Sequence, residues 1–244
     1  MALAPLRKKR ATDEVYESLR AAILSRHFTP GQRLLADELC SQLGVSLTPV
    51  RHALQQLAVE GLVEIHPRSG TYVASISPED LAETFEIRLA LEILAGRRAL
   101  ARWSPSASSR LRDLLATLAR PVRGAEAMRL HEASNLEFHL ALFEIAASRR
   151  LRELYESLNT HIQIARIHSA ESPGTAGLRD RLAQEQSEHE AIVQALEEGS
   201  AAKLESALRA HILRAQESLL AALGARQSQL PAHQPPKHQK RQRV

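Results

Sequence analysis

Apolar residues recur at helical spacing along almost the whole chain, with one interruption. Val15, Leu19, Ala22 and Ile23 mark an amphipathic helix over Thr12–Arg26, with Thr12 as its N-cap. Pro30 and Gly31 cannot sit together inside a helix, so "TPGQRL" (Thr29 to Leu34) is expected as a turn. The stripe Ala36, Leu39, Cys40, Leu43 predicts a short helix stopped by Gly44. Ser46 then caps a helix over Thr48–Glu60, with Pro49 in the first turn, where a missing N–H costs nothing, and Gly61 ending it. From Leu62 to Ile76 the period drops to two. Short alternating runs flank Pro67, Arg68, Ser69 and Gly70, as in a β-hairpin. Three helices followed by a hairpin outline a winged helix-turn-helix.

Beyond Ser77 the helical period returns and persists. "SPED" offers a cap at Ser77, a proline at the first helical position and acids in the first turn. Helices are expected over 78–102, 105–119, 125–147, 149–169, 178–198 and 200–223, with breaks at sites such as Ser104-Pro105, "ESPGTAG" and Gly199-Ser200. Six helices with short connections predict an antiparallel bundle. The fold class is therefore mostly α: an N-terminal winged helix-turn-helix over 12–74, a linker at 75–77 and a C-terminal all-α antiparallel helical bundle over 78–223. The basic ends, 1–11 and 224–244, are expected to be disordered; the tail after Gly224 is rich in Gln, Pro, Lys and Arg with almost no apolar residues.

Composition sharpens this picture only modestly. Hydrophobic residues make up 44% but aromatics only 3%, so the helices must pack on aliphatic side chains. A net charge of +4 permits an anionic partner without requiring one. The single cysteine, Cys40, excludes an intrachain disulfide and lies on a core stripe. No apolar run approaches the roughly 20 residues of a membrane span, and "MALAPLRKKR" lacks the apolar stretch of a secretory signal. A soluble cytoplasmic protein is expected. The basic runs "RKKR" and "KHQKRQR" are read as solvated tails.

The segment "GVSLTPVRHALQQLAVEGL" carries the first candidate chemistry. In a helix-turn-helix the second helix enters the major groove by its N-terminal end. Ser46 and Thr48 can each offer a hydroxyl to a phosphate, and the exposed N–H groups of the helix start favour an anion. Arg51, one turn in, can reach a guanine edge or a phosphate. Arg68, Ser69 and Gly70 at the wing can follow the backbone into the minor groove, with Gly70 permitting close approach.

In "FTPGQRL…ADELCSQLGVSLTPVRHALQQLAVEGLVEIHPRSGTYV", the motifs PG-x-x-L, L-G-V-S-x-T-P-V-R, A-L-x-x-L and E-G-L-V occur in order. Over Thr12–Val73 the chain thus resembles the DNA-binding domain of GntR-family bacterial transcription regulators. The resemblance implies a double-stranded, pseudo-palindromic DNA operator and a homodimer, and Arg33 joins the DNA-contact candidates. Leu47 stands where the family usually carries an arginine that contacts DNA, so affinity or site choice should differ.

The helical region places polar groups on inward stripes. Asn135 and His139 are four apart on the stripe that continues through Leu142 and Ala146. His189 runs with Ile192, Val193 and Leu196, and His211 with Leu204, Leu208 and Ala215. The two histidines flank the Gly199-Ser200 turn at nearly equal distance, roughly 15–18 Å along an antiparallel pair, so they should meet at one height. Converging imidazoles are a common way to hold a divalent metal, although a histidine taken singly is more often a hydrogen-bonded structural residue. Arg88 shares a face with Leu81, Phe85, Glu92 and Ala95. It needs an anionic partner, either Glu92 or the carboxylate of a bound effector.

"FEIRLALE", "NLEFHLAL", "EHEAIVQALEEGS" and "ALRAHI" make the region from Pro78 to Leu223 similar to the FCD effector domain of FadR-like GntR regulators. That resemblance implies a divalent metal (zinc, nickel or manganese) on Asn135, His139, His189 and His211, and a small carboxylate effector near Arg88. Asp is the commoner first ligand, so Asn135 removes charge from the site. The function expected is a ligand-responsive repressor released from DNA by a small organic acid. The alternatives are a metal-sensing repressor and, less favoured, a metal-dependent hydrolase. No H-E-x-x-H pattern is present, and the acids of "EHE" (Glu188 to Glu190) are expected to point away from His189.

Overall fold

The computed structural model describes residues 11–25, 27–169 and 176–227. The first unit begins with α1 (Ala11–Leu24), which buries Val15, Leu19 and Ile23. Thr12 lies inside the first turn and is not the cap, because the helix starts at Ala11. Then come β1 (Arg33–Leu34), α2 (Ala36–Leu43) and α3 (Leu47–Val59). Gly44 ends α2 in the left-handed region at φ 65°, and its N–H bonds to Cys40 O. Ser46 occupies the N-cap position of α3 with extended backbone, but its hydroxyl makes no capping bond, contrary to expectation. Cys40 is half-buried against the core of this unit.

The wing is a three-stranded sheet, β1-β3-β2, built from β2 (Val63–His66), β3 (Gly70–Val73) and β1. The hairpin register sets Val63 opposite Val73 and His66 opposite Gly70. The stretch expected as a pure turn also supplies β1, which pairs Arg33 with Tyr72 and Leu34 with Thr71. Gly31 N–H donates to Val73 O, and Val73 N–H donates to Gln32 O, both at 2.9 Å. A two-residue strand is too short for alternation to reveal it.

The second unit comprises α4 (Pro78–Leu100), α5 (Pro105–Leu118), α6 (Gly124–Ile145), α7 (Arg149–Ser169), α8 (Ala176–Glu197) and α9 (Ala201–Gln227). Ser77 caps α4 as its sequence predicts, accepting from Asp80 N–H at 3.0 Å. Helix α9 runs through Gly224 to Gln227, beyond the expected end at 223. The rest of the basic tail and the N-terminal residues 1–10 lie outside the described residues. Helices α4 and α9 cross closely at Gly96, where a Cβ would come within 3.0 Å of Leu208 and 3.2 Å of Leu204. Among the described residues no helix is long and apolar enough to cross a membrane.

Two apolar clusters form the core. One runs from the winged unit through Leu81 and Phe85 of α4 to Ile162 and Ala165 of α7 and Ile212 of α9. The other gathers Ala95, Phe138, Leu142, Tyr155, Val193 and Leu208 inside the bundle. Along α4, Arg88 and Glu92 lie between the residues of the two clusters, and along α9 so does His211. The buried polar site thus occupies the junction between two hydrophobic cores.

Candidate functional site

At the surface, Ser46, Thr48 and Arg51 stand exposed around the start of α3, with Leu47 half-buried between the two hydroxyls. Arg68 and Ser69 are exposed at the wing tip, Arg68 in the left-handed region at φ 65°. Ser69 Oγ is 3.0 Å from Tyr72 OH across the turn. Gly70 has a requirement internal to the fold. Its φ is +137°, and a Cβ there would lie 2.8 Å from Arg33 Nε. The close approach that this glycine permits in the structure is that of the Arg33 side chain.

Inside the bundle, α6 positions Asn135 and His139, α8 positions His189, and α9 positions His211; all four are buried. Gly199, at φ 69°, turns the chain so that α8 and α9 run side by side, which brings the two later histidines to one height. One ring nitrogen of each histidine lies within 4.8 Å of the others. His139 Nε2 and His211 Nε2 are 3.3 Å apart. With its amide oriented to suit its neighbours, Asn135 Nδ2 donates to His189 Nε2 (3.2 Å) and Glu185 Oε1 (3.0 Å), while Oδ1 accepts from Arg166 (3.1 Å).

The surrounding charges set the protonation states. Burial lowers the pKa of His139, and lowers those of His189 and His211 further, with neighbouring imidazoles adding to the effect for these two. Burial alone would raise Glu92, but His139 and Arg88 beside it outweigh that and hold its carboxyl well below the usual range. Glu185 is likewise held ionised despite burial, by His131, Arg166 and the histidine pair. Glu92 Oε2 lies 2.8 Å from His139 Nδ1, and Glu188 Oε2 lies 2.9 Å from His211 Nδ1. Each carboxylate accepts the Nδ1–H. A neutral imidazole has one N–H only, so both Nε2 atoms present lone pairs to the centre.

Arg88 has its intramolecular partner in the structure. Its guanidinium is buried, donates from Nε to Glu92 at 2.6 Å and from Nη2 to His139 Nε2 at 3.0 Å, and lies over the rings of Phe85 and Tyr155. Glu188 corrects a second expectation. It does not point away but reaches α9, where it holds His211 and also accepts from Arg214 Nε at 2.6 and 2.8 Å. Glu190, its neighbour in "EHE", is exposed and accepts from Gln186. Sequence reasoning also missed Glu185. Its place four residues before His189, on the same helix face, was the available signal. His161, on α7, is exposed.

The donor set fits a metal ion. Three imidazole nitrogens suit a borderline divalent ion such as zinc or nickel. Two of the three histidines also have the carboxylate behind Nδ1 that orients a metal-binding imidazole. His189 departs from this pattern, since its Nδ1 is buried and has no hydrogen-bond partner.

The chain is similar in both halves to known proteins. The family model "Bacterial regulatory proteins, gntR family" matches residues 11–73, and the FCD domain model matches residues 83–214. An HTH-type transcriptional regulator from an unstable DNA locus of Streptomyces ambofaciens is 29% identical over 82% of this chain and 80% of its own length. The HTH-type transcriptional repressor RspR of Escherichia coli K12 is 29% identical over 84% of this chain and 87% of its own. A crystal structure of a GntR transcriptional regulator from Rhodococcus sp. RHA1 superposes with a TM-score of 0.65 at 25% identity, covering 86% of this chain and 98% of that one.

Proposed function

The chain belongs to the GntR family of DNA-binding transcription regulators and carries an FCD domain, and on that premise we propose that it is a repressor released from DNA by a small organic acid bound in the bundle. One observation carries this reading: a buried guanidinium, Arg88, donates directly to His139 of the three-histidine centre. A cation-ready donor set and an anion-recognising group occupy the same buried site. His139, His189 and His211 would hold the divalent ion, joined by Asn135 once its amide oxygen turns from Arg166 toward the centre, and the ion would supply a Lewis acid that attracts a carboxylate. With the His139 lone pair committed to that ion, the Arg88 Nη2–H requires a new acceptor, and the acid's carboxylate provides it.

At the other end, Ser46, Thr48 and Arg51 would meet the major groove and Arg68 and Ser69 the adjoining backbone, with Arg33 supporting the wing. Exposed Ile87 and Leu94, with half-buried Leu91, form an apolar stripe on α4 that suits a homodimer contact, and two-fold symmetry suits a pseudo-palindromic operator. The acid shifts DNA affinity only by binding one arrangement of the two units better than the other. The repressor sign is supported by the named function of the Escherichia coli relative.

The test is fluorescence anisotropy on duplex DNA from upstream of the chain's own gene, against a scrambled duplex, in a salt series with and without zinc and candidate acids. Preferential binding to the native duplex, acid-induced release, and loss of that release in His139→Ala are expected. A His139→Ala protein with full acid response would remove the metal from the mechanism. Release by zinc alone would make the ion itself the signal.

A further inference from the structure

Three carboxylates border the histidine centre, and they stand on different sides of it. Glu92 and Glu188 lie behind the rings, 2.8 Å from His139 Nδ1 and 2.9 Å from His211 Nδ1, away from the converging Nε2 atoms. Each is further committed, Glu92 to Arg88 Nε and Glu188 to Arg214 Nε, both at 2.6 Å. Glu185 is placed otherwise. It is buried, one turn before His189 on α8, and it approaches on the ligand side. A single atom, Asn135 Nδ2, bonds both to His189 Nε2 (3.2 Å) and to Glu185 Oε1 (3.0 Å). Burial lowers the pKa of all three imidazoles, and the charge of Glu185 opposes that in each of them. Two further charge partners, His131 Nε2 and Arg181 Nη1, stand 3.7 Å from its oxygens, longer than hydrogen bonds.

A divalent ion on three neutral imidazoles and a neutral amide would keep its full charge in a buried site, where a charge needs an opposite one. The spacing of the donor atoms identifies the partner. Ligands about 2.0–2.2 Å from one ion stand roughly 3.0–3.5 Å from their nearest fellow ligands. His139 Nε2 and His211 Nε2 are 3.3 Å apart. Turning the Asn135 amide over puts Oδ1 where Nδ2 stands, 3.2 Å from His189 Nε2 and 3.0 Å from Glu185 Oε1. Two oxygens at that distance, one charged and neither bearing hydrogen, repel each other unless a cation binds both. The turn that makes Asn135 a ligand therefore also releases Glu185 from its amide hydrogen bond and leaves it facing the ion.

We propose that Glu185 is the anionic ligand of the histidine centre, joining Asn135 Oδ1 and the imidazoles of His139, His189 and His211 on one divalent ion. This rests on the divalent-ion reading above and adds the charged ligand which that reading lacks. The imidazoles are already gathered, and Glu185 joins them by a movement of its side chain. Asn135 then acts as a latch. In one orientation its Nδ2 holds the carboxylate, and in the other its Oδ1 shares an ion with it.

Calorimetric titration of the full-length protein with zinc, and visible spectra of the cobalt(II)-loaded protein, test this. Glu185→Asp keeps the charge and withdraws it by one methylene. Its zinc affinity should fall by at least the roughly tenfold that removing a hydrogen-bond partner of a ligand costs. Its cobalt spectrum should change, because losing an oxygen ligand alters the ligand field. The spectrum decides: if it is unchanged, Glu185 acts only through its charge and the proposal is overturned, whatever the affinity. Circular dichroism establishes that the variant is folded. If it is not, the structure of the zinc-loaded wild-type protein decides, with a Glu185 oxygen about 2.0–2.2 Å from zinc expected and Glu185 still on the Asn135 amide overturning the proposal. Wild-type protein that takes neither metal, or takes them as well in His139→Ala, removes the metal centre and this ligand with it. Binding that is lost in His139→Ala but indifferent to Glu185→Asp removes Glu185 alone.

Discussion

His139 and His211 face each other with their Nε2 atoms 3.3 Å apart, while each Nδ1 is held from behind by a glutamate, Glu92 and Glu188 respectively. Burial keeps both rings neutral, so their lone pairs converge. Lone pairs placed in this way repel unless a proton or a cation lies between them. The carboxylates therefore do more than fix ring rotation, since they choose the tautomer that leaves Nε2 as a ligand. Replacing Glu188 by Gln keeps the shape and removes the charge behind His211. Zinc affinity by calorimetry should fall by about 10–100-fold with the helical circular dichroism unchanged. Equal affinity would mean that Glu188 serves only Arg214.

Asn135→Asp should move two quantities in opposite directions. The new carboxylate adds a charged ligand and tightens zinc binding. It also faces Glu185, whose Oε1 is 3.0 Å from the present amide, and it loses that bond. The metal-free variant should be less stable by on the order of 1–3 kcal/mol in urea unfolding, with zinc restoring the loss. A variant equally stable without metal would show that Glu185 can turn away.

Acid should destabilise the metal-free protein in two stages. His139, His189 and His211 have pKa values lowered in the fold, so below the ordinary value of 6.5 the unfolded chain binds protons that the folded chain does not. Stability then rises with pH across that window and is lost as pH falls from about 6.5. Glu92 and Glu185, also lowered, contribute stability that is present above 4.5 and is lost as pH falls through their folded values. Melting temperature measured from about pH 7.5 to about pH 4 should decline steadily, and a flat profile down to about pH 5 would contradict the burial of neutral histidines.

Gly70→Ala tests the backbone of the wing, and unfolding in the absence of DNA reads it apart from any DNA contact. The φ of +137° strains any L side chain, and the added methyl meets Arg33 Nε. A loss of about 1–3 kcal/mol in urea unfolding is expected. Arg33→Ala combined with Gly70→Ala should recover the part due to collision and leave the backbone part. If the double variant is as unstable as the single one, the guanidinium is not the obstacle.

Much of the site was legible because its signals were periodic. The inward stripes ending at Leu196 and beginning at Leu204, folded about Gly199, put His189 and His211 together, and the four-residue spacing put Asn135 with His139. Arg88 was legible only as a pair of alternatives, because Glu92 lies one turn away and an unknown ligand leaves no trace in the sequence. Glu188 was misread because a residue adjacent to His189 sits about 100° around the helix. Only the wrap of α9, which brings His211 and Arg214 to that side, turns it inward. The silent Ser46 cap and the two-residue β1 were beyond any local pattern, since a side-chain rotamer and a short pairing depend on neighbours far along the chain.

Helix α7 touches both units. Ile162 and Ala165 belong to the apolar cluster that continues into the winged unit, and Thr160 lies where a Cβ on Gly61, just past the end of α3, would touch it at 3.6 Å. Arg166, one residue beyond Ala165, bonds to Asn135 beside the histidines. A rod seated in this way behaves as an axle. A few degrees of roll at the Arg166 end would turn the surface on which the winged unit rests. Such a roll would gear the two units to each other rather than leave them tethered, and the connection from β3 to α4 would have only to follow.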